Sequence, residues 1–317
     1  AANLAAGTAV TDRVLGWQGD PSSNGDALAL RLAGGLHALV LQQKDAALQA
    51  FYANPDAMSD AKAAVVLCHT LGRHPAHLLA WLDRAPQTNE VRRSAVLIAV
   101  AHWLTARFGV PLVLSELGAS AGLNLIWDRY ALNLDGQIYG PGDPALSLAP
   151  EWRGPLPPVA LPKIAARAGV DLNPLHPVTD RLSLMSYTWA DQQDRLDRLA
   201  LALTAAATNP PAVARADAID WLETRLALPH PGSLHLVYHT VAWQYFPAAS
   251  QARGRELLAQ AGAKGTSNSR LAHLSMEADA VPGSAALTLT LWPGGQIITL
   301  GRADFHGRSI DWQAPPA

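Results

Sequence analysis

Pro111-Leu112-Val113-Leu114-Ser115-Glu116-Leu117-Gly118-Ala119-Ser120-Ala121-Gly122-Leu123-Asn124 is the stretch on which the reading of the chain turns. A short apolar run ends in an acid, three small residues alternate with alanines, and a helix-like segment over residues 123–130 follows. A strand, a tight glycine turn and a helix open a βαβ unit. Ligands of such units gather at the turn, because glycine admits close approach and a helix start offers unpaired N–H groups.

The same residues admit several chemistries, and a ligand-free strand–helix turn is one of them. Gly118-Ala119-Ser120-Ala121-Gly122 fits G-x-S-x-G, the nucleophile elbow of a serine hydrolase, and Ser120, Asp279 and His306 supply nucleophile, acid and base in the required chain order. Against this, more than a hundred residues of helical pattern precede the turn, whereas a hydrolase elbow follows several strands. A dinucleotide fingerprint needs G-x-G-x-x-G, but from Gly118 the second and third glycine positions hold Ser120 and Leu123. That argues against NAD or FAD.

Glu116-x-Gly118-x-Ser120-x-Gly122 resembles the motif that opens the sheet of class I S-adenosylmethionine-dependent methyltransferases, with serine at the middle glycine. The resemblance implies a cofactor-facing set of Glu116, Gly118, Ser120, Gly122 and Asn124, with Glu116 toward the ammonium of the cofactor. Asp171, closing the second strand, then faces the ribose hydroxyls, and Asp217, after the third, the adenine amino group. Asp171 lies 49 residues beyond Gly122, against about 20 for the usual turn-to-acid spacing; a Pro-rich insertion accounts for the excess. Asp143 keeps the ordinary spacing but sits in the turn signal Gly142-Asp143-Pro144. At the end of the fourth strand, His239 and Tyr238 are the expected catalytic pair, His239 reading as general base or as a strand-end histidine bonded to backbone, with Trp243 beside them as core or as a cation–π partner of a sulfonium.

Outward from the turn, residues 163–172, 212–216, 234–238 and 270–275 read as strands, and 181–207, 221–226 and 251–262 as helices. Residues 285–292 and 296–301 alternate around Pro293-Gly294-Gly295, a hairpin signal. The expectation is an α/β fold, a mostly parallel Rossmann-like methyltransferase sheet with an antiparallel C-terminal hairpin. It would occupy residues 110–317, with an insertion near 131–162 holding at most a hairpin. Residues 26–51, 61–71, 76–82 and 90–108 are helical by spacing and predict a helical subdomain or lid over 1–109. Asn89 is placed to cap the last of these helices and Gly109 to end it; Thr88-Asn89-Glu90 reads as that cap or as a turn covering the cofactor.

Composition narrows the function. The 317 residues carry 24 Lys+Arg against 26 Asp+Glu, a net charge of −2 with no basic run, which gives no footprint for nucleic acid. With 49% hydrophobic residues and one cysteine, disorder and a disulfide scaffold are excluded. The longest apolar stretch, residues 95–104, is too short to span a bilayer, and Ala1-Ala2-Asn3-Leu4 has no basic leader, so the expected setting is cytoplasmic. Cys68, His69, His74 and His77 lack a standard zinc spacing. Asp304 and His306 read as a turn after the hairpin.

Nearly the whole chain resembles the DUF2332 family of uncharacterised bacterial proteins. The matching stretches are Gln87-Thr-Asn-Glu90, Glu116 to Asn124, Asp128-Arg-Tyr130, Glu151-Trp-Arg-Gly154, Asp171-Leu-Asn-Pro174, Tyr238-His-Thr240 and Arg302-Ala-Asp-Phe-His-Gly307. The family implies a methyltransferase-like fold and names no substrate. The resulting expectation is methyl transfer from S-adenosylmethionine to a small-molecule acceptor. The alternatives are the Ser120 hydrolase and a non-catalytic nucleoside-binding descendant of the fold.

Overall fold

The structure, a computed structural model, describes residues 7–22 and 25–317. The opening Ala1-Ala2-Asn3-Leu4, read above as lacking a leader, lies outside the described residues.

Two compact units form. One runs through Thr88 and takes in Thr179–Ala200; the other holds Asn89–Val178 and Leu201–Ala317. The first is helical: α1 (Ala9–Leu15), α2 (Leu28–Leu41), α3 (Ala46–Ala53), α4 (Asp60–Arg73) and α5 (Pro75–Leu82), with α7 (Arg181–Ser186) returning later in the chain. The helical pattern over 26–51 splits in two because Gln43 takes a positive φ of 57° and buried Asp45 caps a new helix, accepting from the Leu48 amide at 3.0 Å. Pro75 starts α5 where the sequence breaks, at the helix position that proline suits. Gly34 and Gly35 are contact points rather than weak points. A Cβ on Gly34 would lie 2.6 Å from the Tyr187 ring, and one on Gly35 3.0 Å from Trp81. Leu39, Leu48, Leu71, Leu78 and Leu82 form this unit's core.

The second unit begins with α6 (Ser94–Phe108), so the division falls at residue 89 and not near 109. Buried along most of its length, α6 packs on the residues after β1 (Leu112–Leu117) and on β2 (Tyr130–Leu134), which holds it to the sheet unit. Within the 131–162 insertion, β2, β3 (Gln137–Tyr139) and β4 (Leu146–Leu148) make a three-stranded sheet, more than the hairpin expected. Its last strand, β5 (Glu151–Arg153), leaves to pair with the main sheet.

That main sheet continues with β6 (Ile164–Asp171), β7 (Val213–Arg215), β8 (Ser233–Thr240) and β9 (Ser269–Ala278), then β10 (Ala285–Trp292), β11 (Gln296–Ala303) and β12 (Ser309–Trp312). Its order is β5-β12-β11-β10-β9-β8-β1-β6-β7. The pairs from β7 through β9 are parallel, and β9 through β12 form an antiparallel meander around the expected hairpin. The fold is therefore mixed α/β with a large, mostly parallel sheet. Helices α8 (Gln193–Thr208), α9 (Ala218–Leu226) and α10 (Ala248–Ala263) connect its strands; Thr188 to Gln192 breaks the helix expected over 181–207. Every residue of β1 is buried, as a central parallel strand covered on both faces requires. Leu117, Val170, Ile219, Leu222, Val237 and Leu258 form one core on this sheet. Among the described residues no helix is long and apolar enough to cross a membrane.

Candidate functional site

Beside β1 the direction of winding reverses: β6 and β7 lie to one side, β8 and β9 to the other. In open α/β sheets, the crevice outside the carboxyl ends of the strands at such a point is where ligands bind. The glycine turn occupies this position. Gly118 (φ 71°), Ser120 (φ 53°) and Gly122 (φ 70°) all take left-handed backbone. Strain at Ser120 is balanced by Asp171 on the neighbouring strand end, whose Oδ2 accepts the Ser120 amide at 2.9 Å while Oδ1 accepts that of Asn173 at 2.8 Å. A Cβ on Gly118 would sit 2.6 Å from that of Ala242, and one on Gly122 2.6 Å from Pro211. Both glycines thus admit close packing by protein.

The helix expected after the turn is a 3₁₀ segment, Leu123–Arg129, kinked at Ile126. At its start, where unpaired N–H groups were expected, the Leu123 amide donates to Asn89 Oδ1 at 3.0 Å. The reason is local: Asn89 and Glu90 come over the turn. Asn124 Nδ2 donates to the Glu90 carbonyl (3.3 Å), and Ser94 Oγ donates to Asn124 Oδ1 (2.7 Å).

Glu116, at the end of β1, is the electrostatic centre. It is 2% exposed, and its Oε2 is buried without a hydrogen-bond partner. Burial, reinforced by the charge of Asp171, pushes its carboxyl well above the ordinary range; the Arg93 guanidinium opposes this. Across the register stands Tyr238, whose hydroxyl donates to the Asn124 carbonyl at 3.0 Å. Arg93 reaches further round the edge, donating from Nε to the Phe305 carbonyl (2.8 Å) and from Nη1 to that of Thr240 (2.9 Å). Gly307 lets the two chains touch there, since a Cβ would fall 2.7 Å from the Arg92 carbonyl oxygen. Next to it, His306 Nδ1 lies 3.5 Å from Oε2 of buried Glu90, which also caps the turn Val91–Arg93 through Oε1. Residues 89–94, 116–124, 238–240 and 302–307, distant in sequence, meet at one sheet edge.

A family model described as an uncharacterized protein conserved in bacteria, DUF2332, matches residues 1–312. The chain belongs to the DUF2332 family. No curated protein and no solved structure matches it. The stretches that carried the DUF2332 resemblance in the sequence include those that converge around Glu116.

Other expected residues of this DUF2332 protein have different employment. His239 closes β8 as expected, but both ring nitrogens are engaged: Nδ1 with Glu277 Oε1 at 2.7 Å and Nε2 with His273 Nε2 at 2.9 Å. Its ring stacks on Trp243 at 4.8 Å, and Trp243 packs on Gly254, which places that indole in the core. Both nitrogens of His239 are thus bonded within the protein, and the Tyr238 hydroxyl is bonded to the Asn124 carbonyl. Glu277 Oε1 also accepts the amides of Ala242 (2.9 Å) and Trp243 (3.0 Å). Burial pushes the Glu277 carboxyl up, but His239 and these amides outweigh it and hold it below the ordinary value. Asp171 ends β6, and Asp143 is exposed between β3 and β4. Asp217 is exposed and caps α9, accepting from the amides of Ile219 (2.8 Å) and Asp220 (3.2 Å), because its side chain falls just before a helix start.

The hydrolase triad does not assemble. Asp279 is clamped by both Arg302 Nη atoms, and His306 faces Glu90. Of the residues weighed for zinc, His74 lies 3.3 Å from Asp45, His77 bonds the Gly35 carbonyl at 3.0 Å, and Cys68 is exposed. Sequence reasoning passed over Arg93, Ser94, His273 and Glu277. Only Arg93 left a trace, three residues after Glu90 in a segment singled out as a helix start.

Proposed function

We propose that this chain binds S-adenosylmethionine at the Glu116 edge and transfers its methyl group to a small molecule. One observation carries the reading: a carboxylate buried at the end of the central strand, with an oxygen lacking any partner, beside the left-handed glycine turn. A buried unpaired acid is costly, and a cation docked against it offsets that cost. The ammonium of an amino-acid tail has the charge and size for this.

The winding supports the same reading. Taken in chain order, the parallel strands run third, second, first, fourth, fifth across the sheet, the order of nucleotide-binding folds. The residues fit the amino-acid and ribose portions of the cofactor: Glu116 would hold the ammonium, and Asp171, whose oxygens keep spare lone pairs, the ribose hydroxyls. The adenine contact assigned to Asp217 does not fit, since that carboxylate caps α9. Bound cofactor would supply an already activated methyl group, so the protein's part is to position, desolvate and take up a proton. His306, its ring half-exposed and paired with buried Glu90, takes the proton-accepting role in place of His239.

Calorimetric titration with S-adenosylhomocysteine tests the claim. Binding at 100 times the dissociation constant raises stability by about 2.7 kcal/mol, visible as a higher melting temperature. Glu116→Gln, which removes the charge, weakens binding by about 1.5–3 kcal/mol. No heat and no thermal shift with the wild-type chain at millimolar ligand rejects the cofactor.

A further inference from the structure

The helical unit contains a cavity of about 420 Å³ between α2, α3 and the segment after α7. That volume lies in the range of small-molecule pockets, which are mostly apolar with a few placed polar groups. Leu30 and Ala33 of α2 form one wall, Phe51 and Tyr52 of α3 a second, and Tyr187 and Trp189 a third. Alanine at position 33 keeps the wall of α2 shallow. Tyr187 is seated against Gly34, where no side chain intervenes, and its hydroxyl is buried without a hydrogen-bond partner. His37 stacks on Tyr52 at 6.0 Å and 21°, and its Nδ1 donates to the Ser186 carbonyl at 3.2 Å. Burial lowers its pKa, so the ring is neutral near pH 7.

Charge then selects the ligand. Among the described lining residues, Asp191 alone is formally charged at neutral pH, and it is exposed. Arg31 and Arg84 act on the Tyr187 oxygen, but neither lines the cavity; Arg31 donates to the carbonyls of Asp26 and Leu82. An aromatic enclosure with an acid and no lining cation suits a flat ring bearing a positive charge. We infer that the helical unit is a binding site for a small aromatic amine, its ring between Ala33 and the Phe51, Tyr52 and Tyr187 side chains and its ammonium toward Asp191. This site is separate from the cofactor reading and does not depend on it.

The probes are tryptamine, indole and indole-3-acetate, titrated calorimetrically into the full chain. Tryptamine binds about fivefold more tightly than indole, the size of an exposed ion pair, and indole-3-acetate binds most weakly. Ala33→Trp fills the cavity and lowers tryptamine affinity by about tenfold or more. Should that variant fail to fold, Asp191→Asn at an exposed position still decides, because it removes the preference of tryptamine over indole. The site is overturned by no heat with any probe at millimolar concentration, or by indole-3-acetate matching tryptamine. It is equally overturned by a folded Ala33→Trp, or by Asp191→Asn, behaving as wild type.

Discussion

Two buried glutamates stand at the same carboxyl edge of the parallel sheet, and the fold treats them in opposite ways. Glu277, ending β9, accepts from His239 and from the amides of Ala242, Trp243 and, at 3.3 Å, Gln244. Glu116, ending β1, keeps an oxygen without a partner. The first carboxyl is held below its ordinary pKa, the second well above it. Both are buried, so desolvation alone cannot separate them; the count of donors does. Glu277 is complete within the protein and organises the strand-end loop. Glu116 has no such set of donors, and it is this difference that the proposed cofactor role rests on.

The contrast breaks most readily at Glu277. Glu277→Ala strips several buried donors of their acceptor and is expected to cost about 3–5 kcal/mol in urea unfolding. A loss below about 1 kcal/mol would mean that the loop holds itself and the comparison is empty.

Asp171→Ala comes next. It removes the acceptor for the Ser120 amide, and cofactor affinity falls by about 1.5–3 kcal/mol with the turn no longer fixed. Unchanged affinity for S-adenosylhomocysteine would take the ribose role away from Asp171.

Glu116→Gln sharpens the contrast by sign. It replaces a buried acid whose Oε2 has no partner by a neutral amide, and is expected to raise stability at neutral pH by about 1 kcal/mol while cofactor affinity falls by about 1.5–3 kcal/mol. The pH dependence follows. The raised carboxyl of Glu116 binds its proton more tightly folded than unfolded, so its contribution is favourable below the unfolded value near 4.5 and declines as pH rises through the folded value. The depressed carboxyl of Glu277 does the reverse, contributing above that value and losing its share as pH falls through the folded one. Melting temperatures from pH 3 to 8 for each Gln variant, subtracted from wild type, are expected to slope in opposite directions; equal slopes would erase the distinction.

The smallest effect belongs to Asp217. Asp217→Ala loses the cap of α9, about 1 kcal/mol, and leaves S-adenosylhomocysteine affinity unchanged. A drop in affinity without loss of stability would restore its adenine role.

What the sequence disclosed follows the range of the interactions. β1, its glycine turn, the Asp171 strand end and the β10–β11 hairpin are written in runs of a few adjacent residues, and each lies where those runs predict. Strands of three residues such as β3, β4 and β5 carry too little alternation to register. Glu277 and His239 are separated by 38 residues, and only the parallel pairing of β8 with β9 makes them partners. The 3₁₀ segment after Gly122 replaced a helix because Asn89, 34 positions earlier, takes the Leu123 amide. Asp217 shows the converse: its cap of α9 is a local signal, written in the residues that directly follow it.

The clasp between Arg93 and the Phe305 carbonyl joins residues 212 positions apart. Contacts of such separation cannot be rewarded until the intervening chain has been ordered. The edge around Glu116 is therefore expected to be finished late in folding, and a nascent chain that still lacks residues 302–307 holds Glu116 with its surroundings unmade.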